Sequence, residues 1–541
     1  MSRSTRREFL KYAGAGSAML SLSPLARMLR AAEAAATTQA GASGSAARPN
    51  IIVILADDMG YSDIGCFGSE IRTPNLDRLA SSGLRFTQMY NAARCCPSRA
   101  CLLTGLYPHQ AGVGDMTSDQ NLPGYRGHLN DQCVTLAEVL RPAGYRTLMV
   151  GKWHVGSAPG CRPGDRGFDK YYSYLGGASS YFNTPVVSNS SDGYYAPQPG
   201  AAGYYTTDAF SGHAVGLVDE CARKGQPFFL YLAHKAPHWP VHALSEDVAR
   251  YKDLYADGPR AVAKRRYQRQ VEMGLVNPKW PYRPDELVPE QSTHLPMVQT
   301  EKDAAPRKAA SPQEAMQMYA AQVDRMDQGI GRLVDRLRQL GILDNTLILF
   351  LSDNGGCHET QGYGQPWATA SNTPFRRHKH WVHEGGISTP LVAHWPARIR
   401  QAGKLVHDAA HILDVMPTVV ELAGAAYPTE YNGKAILPME GRSLVPLLDG
   451  GTRAAPQLLC WEHEGNRAVR EGKWKLVAAG KPWELYDVEA DRTENVNLID
   501  KEPDRVRRLT DLYMEWAKRC NVLRPAGGGK AKAQPPAAAG G

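Results

Sequence analysis

The sequence predicts an α/β protein: a large mixed, mainly parallel sheet sandwiched by helices, with a smaller C-terminal α+β domain of antiparallel sheet plus helix. Three observations predict it. Ile51-Ile52-Val53-Ile54-Leu55 and Thr346-Leu347-Ile348-Leu349-Phe350-Leu351 are apolar without alternation, as strands buried on both faces are. Segments of helical spacing alternate with such runs, the pattern of helices packed on a parallel sheet. After Thr452 the pattern changes to short strands joined by short turns.

The elements follow in order. Residues 1–34 read as a twin-arginine-type signal peptide. Ser4-Thr5-Arg6-Arg7-Glu8-Phe9-Leu10-Lys11 carries the arginine pair, Tyr12 to Ala26 is mildly apolar, and Ala32-Glu33-Ala34 offers a small-residue cleavage site. The apolar stretch is too short and weak for a stable membrane span. The expected location is therefore outside the cytoplasm, periplasmic or extracellular. Residues 35–48 are small and polar, a linker. The main domain spans 49–451. Within it Leu136 to Leu140 reads as helix, Arg146 to Val150 and Pro227 to Ala233 as strands, and Ala315 to Leu340 as one long helix. Ser245 to Pro312, charged and weakly periodic, reads as a surface insertion. The C-terminal subdomain, 452–524, holds strands at Leu458–Trp461, Asn466–Glu471 and Trp474–Val477, then a helix over Pro503–Arg519. Residues 525–541, rich in Gly, Ala, Pro and Lys, read as a disordered tail.

At 541 residues, 43% hydrophobic and 21% charged, the chain can bury a large core. The leader carries half of the formal charge of +8, so the remainder is near +4. That is too little to argue for nucleic acid and is compatible with an anionic substrate. The ten cysteines show no C-x-x-C or zinc-type spacing, and a chain folded before export needs few or no disulfides.

Two strands end in adjacent oxygen donors, Asp57-Asp58 after Leu55 and Asp353-Asn354 after Leu351. Sites in open α/β sheets form at the carboxyl ends of strands. Two such ends could clamp one hard cation, and oxygen donors favour Ca²⁺ or Mg²⁺.

Cys95-Cys96-Pro97-Ser98-Arg99-Ala100-Cys101-Leu102-Leu103-Thr104-Gly105 resembles the sulfatase signature C-x-P-S-R-x-x-x-L-T-G at every fixed position. Gly144 to His154 resembles the second sulfatase signature. His234-Lys235-Ala236-Pro237-His238 resembles the family's H-x-P-H stretch with one extra residue, and Lys379 stands as in K-x-x-x-x-E-G-G. Glu484 to Leu498 resembles the closing segment of sulfatase C-terminal domains.

The resemblance implies a sulfuric ester hydrolase of the alkaline phosphatase superfamily, its catalytic domain spanning 49–451. It implies that a maturation enzyme oxidises Cys95 to Cα-formylglycine, whose hydrate attacks sulfur. It implies Ca²⁺, with Mg²⁺ compatible, held by Asp57, Asp58, Asp353, Asn354 and the modified Cys95. Arg99 would hold the modified side chain. Lys152, His238 and Lys379 would face the sulfate and leaving oxygen, and His154 would be the base that expels sulfate. His234 is a weaker candidate that could simply cap its strand. Arg376, Arg377, His378, His380 and His383 read mostly as a solvated basic loop.

Two other readings stay open: a phosphodiester or phosphonate ester hydrolase of the same architecture, and a non-catalytic protein that binds sulfated glycans. The substrate, a sulfated small molecule or a sulfated glycan, is not specified by these motifs. The tyrosines between Tyr171 and Tyr205 could stack on sugars or pack internally.

Overall fold

A computed structural model of the chain describes residues 48–189, 197–453, 457–480 and 482–522. The expected leader, the linker apart from Arg48, and the expected tail lie outside the described residues.

From Pro49 onward the chain forms one compact unit. Its main sheet has seven substantial strands: β1 (Asn50–Ala56), β2 (Leu84–Tyr90), β3 (Arg146–Lys152), β4 (Lys170–Tyr174), β5 (Phe228–Ala233), β6 (Thr346–Ser352) and β7 (Ser388–His394). Their order is β2-β7-β6-β1-β5-β3-β4, with two-residue strands added at both edges. β6, β1, β5, β3 and β4 pair in parallel, and only β7 among the seven runs against its neighbours. The sheet is thus mixed and mainly parallel, as the unalternating apolar runs predict.

The period of two along β1 divides the core. Ile51, Val53 and Leu55 enter one apolar cluster, and Ile52, Ile54 and Ala56 enter another on the opposite face. The first face carries helices α2 (Cys95–Thr104), α3 (Leu136–Leu140) and α7 (Val415–Ala423). The second carries α1 (Pro74–Ser81), α4 (Thr206–Arg223), α5 (Gly258–Glu272) and α6 (Pro312–Gln339). α6 begins three residues before the expected Ala315. Ser311 caps it by accepting from Glu314 N–H at 3.1 Å, and Pro312 fills the first turn.

Strands β8 (Leu458–His463), β9 (Asn466–Glu471), β10 (Trp474–Ala479) and β11 (Glu484–Asp487) form a separate antiparallel meander, followed by α8 (Pro503–Arg519). Both faces of this sheet pack on the main domain: Cys460, Val469, Leu476 and Leu485 belong to the same cluster as Val53 and Leu102, while Leu459, Trp461, Ala468 and Val477 join Tyr90, Val382 and Ile387 in another.

The stretch Ser245 to Pro312 departs from expectation. It contains the fifteen-residue α5, whose inner face uses polar residues, so hydrophobic periodicity could not reveal it. Arg266 is fully buried and pairs with Asp63 at 2.6 Å and Glu70 at 2.7 Å, while Gln270 Nε2 donates to the carbonyl of Thr373 at 2.9 Å. Of the tyrosines from Tyr171 to Tyr205, Tyr172, Tyr174, Tyr181, Tyr204 and Tyr205 are buried and Tyr171 is half-buried, while Tyr194 and Tyr195 lie outside the described residues. Among the described residues no helix is long and apolar enough to cross a membrane.

Candidate active site

The signature helix α2 follows β2 across the loop 91–94, and several fixed signature residues have local work. Ser98 Oγ accepts from Ala92 N–H at 2.9 Å and pins the approach to Cys95, the first residue of α2. Leu103 packs in the core. Gly105 ends the helix in the left-handed region, φ 68°, its N–H bonded to the Cys101 carbonyl. Gly151, before Lys152, has φ 112°, and a Cβ there would sit 1.9 Å from the Ala233 carbonyl oxygen. Only glycine lets β3 and β5 approach so closely.

These elements bring the expected ligands together at the carboxyl ends of β1 and β6. Asp57, Asp58, Asp353 and Asn354 are fully buried. Asn354 Nδ2 donates to Asp58 Oδ1 at 2.8 Å, and Asp58 N–H donates to Asp353 Oδ1 at 3.2 Å. Arg99 braces the cluster: Nε and Nη2 reach Asp353 Oδ2 at 3.1 and 2.8 Å, and Nη1 donates to the Lys152 carbonyl at 2.7 Å. Lys152 Nζ lies 2.5 Å from Asp57 Oδ2. Lys379 Nζ reaches Asp58 Oδ2 at 2.9 Å, and His238 Nε2 stands 3.5 Å from the same oxygen.

Two buried oxygens remain without a hydrogen-bond partner, Asp57 Oδ1 and Asn354 Oδ1. Burial followed by repulsion from Asp353 lifts the Asp57 carboxyl to about 6. Burial also works to raise Asp58, but His238 and Lys379 outweigh it and hold that carboxyl below its usual range. Crowded carboxylates with unmet oxygens are a donor set that a hard divalent cation fits.

Cys95 is buried, with the Cys96 and His154 ligand atoms within 4.8 Å of its own. A hydrogen bond from Cys96 outweighs burial, and Lys152 and His154 add to it, so the Cys95 thiol sits well below its ordinary range. Burial drives Cys96 the other way. Burial also depresses His154, and depresses His238 to about 4, so both are neutral bases near pH 7. Asp58 and His154 have left-handed backbones, φ 69° and 57°, strain of the kind that collects at functional sites.

Every expected site residue except His234 therefore converges. His234 is buried with neither ring nitrogen hydrogen-bonded, and its charged neighbours are Arg332 and Asp208 on the helices behind the sheet. The expected solvated loop is also corrected. His378 and His383 are buried, and Arg376 donates to the Glu494 carbonyl at 2.6 Å and Tyr486 Oη at 2.9 Å. The C-terminal sheet covers that loop, a contact no local pattern reports.

Residues the motifs missed stand at the rim. Glu359 accepts from Lys379 at 3.1 Å, Arg94 at 2.9 Å and Trp239 Nε1 at 2.8 Å. The Cys357 thiol donates to it at 3.3 Å. Arg94 could have been suspected from its place directly before Cys95. Glu359 has no sequence signal, because its partners come from three distant segments.

A sulfatase family model matches residues 49–425, and a second, N-sulphoglucosamine sulphohydrolase C-terminal, matches 376–515. The chain belongs to the sulfatase family. An arylsulfatase of Klebsiella aerogenes is 35% identical over 462 residues, covering 77% of this chain and 96% of its own. An uncharacterized sulfatase of Schizosaccharomyces pombe is 32% identical over 536 residues, covering 88% and 94%. The crystal structure of Ps i-CgsB, also solved in complex with k-i-k-neocarrahexaose, superposes with a TM-score of 0.66 at 29% identity, covering 88% and 94%. This sulfatase is a sulfuric ester hydrolase whose motif residues meet at one end of a single sheet.

Proposed function

We propose that the enzyme hydrolyses sulfate monoesters using a Cα-formylglycine at position 95 and one divalent cation, Ca²⁺ or Mg²⁺, held by Asp57, Asp58, Asp353 and Asn354. The observation that carries this reading is the pair of unpartnered buried oxygens, Asp57 Oδ1 and Asn354 Oδ1, beside Cys95 and Lys152. Formylglycine, once formed, supplies a hydrated aldehyde as nucleophile, and a bound cation supplies charge neutralisation there.

The chain's own residues do the rest. Lys152 and Lys379 present fixed positive charge to sulfate oxygens, and burial in a water-poor site strengthens that field. Arg99 orients Asp353 with a fork of two donors. His154, neutral and within reach of residue 95, accepts a proton there. The leaving oxygen takes its proton from Lys379, whose ammonium reaches Asp58, while neutral His238 beside the same carboxylate positions that oxygen. Glu359 partly neutralises Lys379 and steers its ammonium.

The substrate class we propose is a sulfated aryl compound or sulfated sugar, after the named activities and ligand of the relatives. The protein acts after export from the cytoplasm, and a formylglycine-generating enzyme is its obligate maturation partner. The test is mass spectrometry of the tryptic peptide Cys95–Arg99 together with sulfate release from an aryl sulfate and a sulfated oligosaccharide. An aldehyde mass with turnover of either substrate supports the reading. A thiol at position 95 in fully active protein, or preference for a phosphodiester, overturns it.

A further inference from the structure

A second cluster of metal-type ligands lies outside the site just described. His463 ends β8, Glu464 stands in the turn between β8 and β9, and His380 follows Lys379 on the loop that the turn covers. The three ligand atoms lie within 4.8 Å of one another. His380 Nδ1 is 3.1 Å from Glu464 Oε2, and His463 Nε2 is 3.9 Å from Glu464 Oε1.

His463 is the independent observation. Its side chain is wholly buried, and neither ring nitrogen has a hydrogen-bond partner. A buried imidazole with both nitrogens unmet costs free energy unless something answers it. Its Nε2 points at a carboxylate too far away for a hydrogen bond but at the separation of two ligands sharing one ion. The sulfate site does not use any of the three residues.

We propose that His380, His463 and Glu464 form a second metal site, for a divalent transition ion of the zinc type. Two imidazoles and one carboxylate are a borderline donor set that suits such an ion better than Ca²⁺, and three protein ligands leave a fourth position open. Asn466 Nδ2 stands 3.1 Å from His380 Nε2 and donates to the His463 and His380 carbonyls at 3.0 and 3.4 Å, which fixes the backbone on both sides of the cluster. Coordination through Nδ1 places the ring proton of His380 on Nε2. The proton shifts between the two nitrogens of one imidazole, and none is released.

The ion ties the β8–β9 turn to the residue next to Lys379. His380 N–H already donates to the Ala93 carbonyl at 2.9 Å, two residues before Cys95. The site therefore links the C-terminal sheet to both loops that shape the sulfate pocket.

The test titrates calcium-loaded, full-length protein with Co²⁺ and Zn²⁺, comparing wild type with His463→Ala and Glu464→Gln. Glu464 is exposed, so its variant keeps the fold even if the buried His463 variant does not. The wild type is expected to take up one Co²⁺ with weak ligand-field bands and no thiolate charge-transfer band. Zn²⁺ should displace it and raise Tm. Glu464→Gln should weaken binding by at least about tenfold. Uptake that shows only thiolate bands, or equal affinity in Glu464→Gln, overturns the proposal, as does the absence of uptake. None of these readouts depends on turnover, so the result stands apart from the sulfatase chemistry.

Discussion

Two buried charge clusters sit at the ends of the segment Lys379–Glu384, and they are built in opposite ways. At one end, four ligand-type side chains crowd together with Asp57 Oδ1 and Asn354 Oδ1 unmet. At the other, Glu384 is saturated. Lys475 Nζ binds Oε1 at 2.8 Å, while Arg492 Nε at 2.7 Å and the Tyr90 and Ser388 hydroxyls, each at 3.0 Å, bind Oε2. Lys475 also reaches Glu494 at 2.8 Å, and Glu494 Oε2 accepts from Glu384 N–H at the same distance. Both clusters are equally buried. The difference lies in accounting for lone pairs: the second holds the C-terminal sheet against the main sheet, and the first keeps oxygens available for a ligand. Burial of charge marks neither role by itself; the crowding of Asp57, Asp58 and Asp353 together with unmet oxygens sets the first cluster apart.

The comparison is sharpened most by Cys95→Ala. Loss of the nucleophile position should lower kcat on the order of 10⁵- to 10⁶-fold, while thermal unfolding shows a stability change of only about 1 kcal/mol. Comparable losses of stability and activity would mean that the first cluster is structural too. Next in size, Lys475→Met should cost about 3–5 kcal/mol of stability, because it leaves buried Glu494 without its lysine and removes one of the two cations on Glu384. Denaturant unfolding measures it, and a loss below about 1 kcal/mol would break the contrast from the other side.

Asp57→Asn should reverse the usual sign in metal-free protein. Burial first, then repulsion from Asp353, disfavours the Asp57 charge by more than Lys152, His238 and Arg99 favour it, so the chelated variant should be at least as stable as chelated wild type. The wild type should regain about 2.7 kcal/mol with cation at a hundred times its Kd, and the variant much less. Calorimetry with and without chelator reads both.

The smallest effect concerns Glu484. Burial works to raise its carboxyl, but His383, Arg376 and Tyr486 hold it down to about 2, against 4.5 unfolded. A depressed carboxyl contributes stability that is complete above the unfolded value and is lost as pH falls through the folded one. Glu484 is only half-buried, so solvent screening trims that gain, and Glu484→Gln should cost about 1 kcal/mol at pH 7. The gap from wild type should close between pH 4.5 and 2. A gap that is constant with pH would show that packing, not charge, is what Glu484 supplies.

Much of the fold was legible because it rests on short-range rules. Unalternating β-branched runs located β1 and β6, and Pro503 to Arg519 was read as helix at its observed bounds. The site was legible where its residues sit at strand ends or in the signature helix, since a strand end fixes where the next two side chains emerge. Glu359 escaped because it acts through Arg94, Trp239 and Lys379, which are remote in sequence. α5 escaped because its buried face is written in Arg266 and Gln270, which look solvent-facing until Asp63, Glu70 and the Thr373 carbonyl are placed opposite them. His383 escaped because a covering sheet leaves no mark on the loop it covers, and His378 because it stacks on His358, a remote residue, at 4.4 Å.

The sequence alone thus located four strands of the main sheet, the long helix α6, the C-terminal strands and helix, the family and the candidate site residues, because each depends on side-chain periodicity or on residues within one motif. Tertiary structure decided which charges are saturated and which are left open, because hydrogen-bond satisfaction is a property of pairs. For Glu384 with Lys475, and for His463 with His380, the pairing exists only once the C-terminal sheet has closed over the loop.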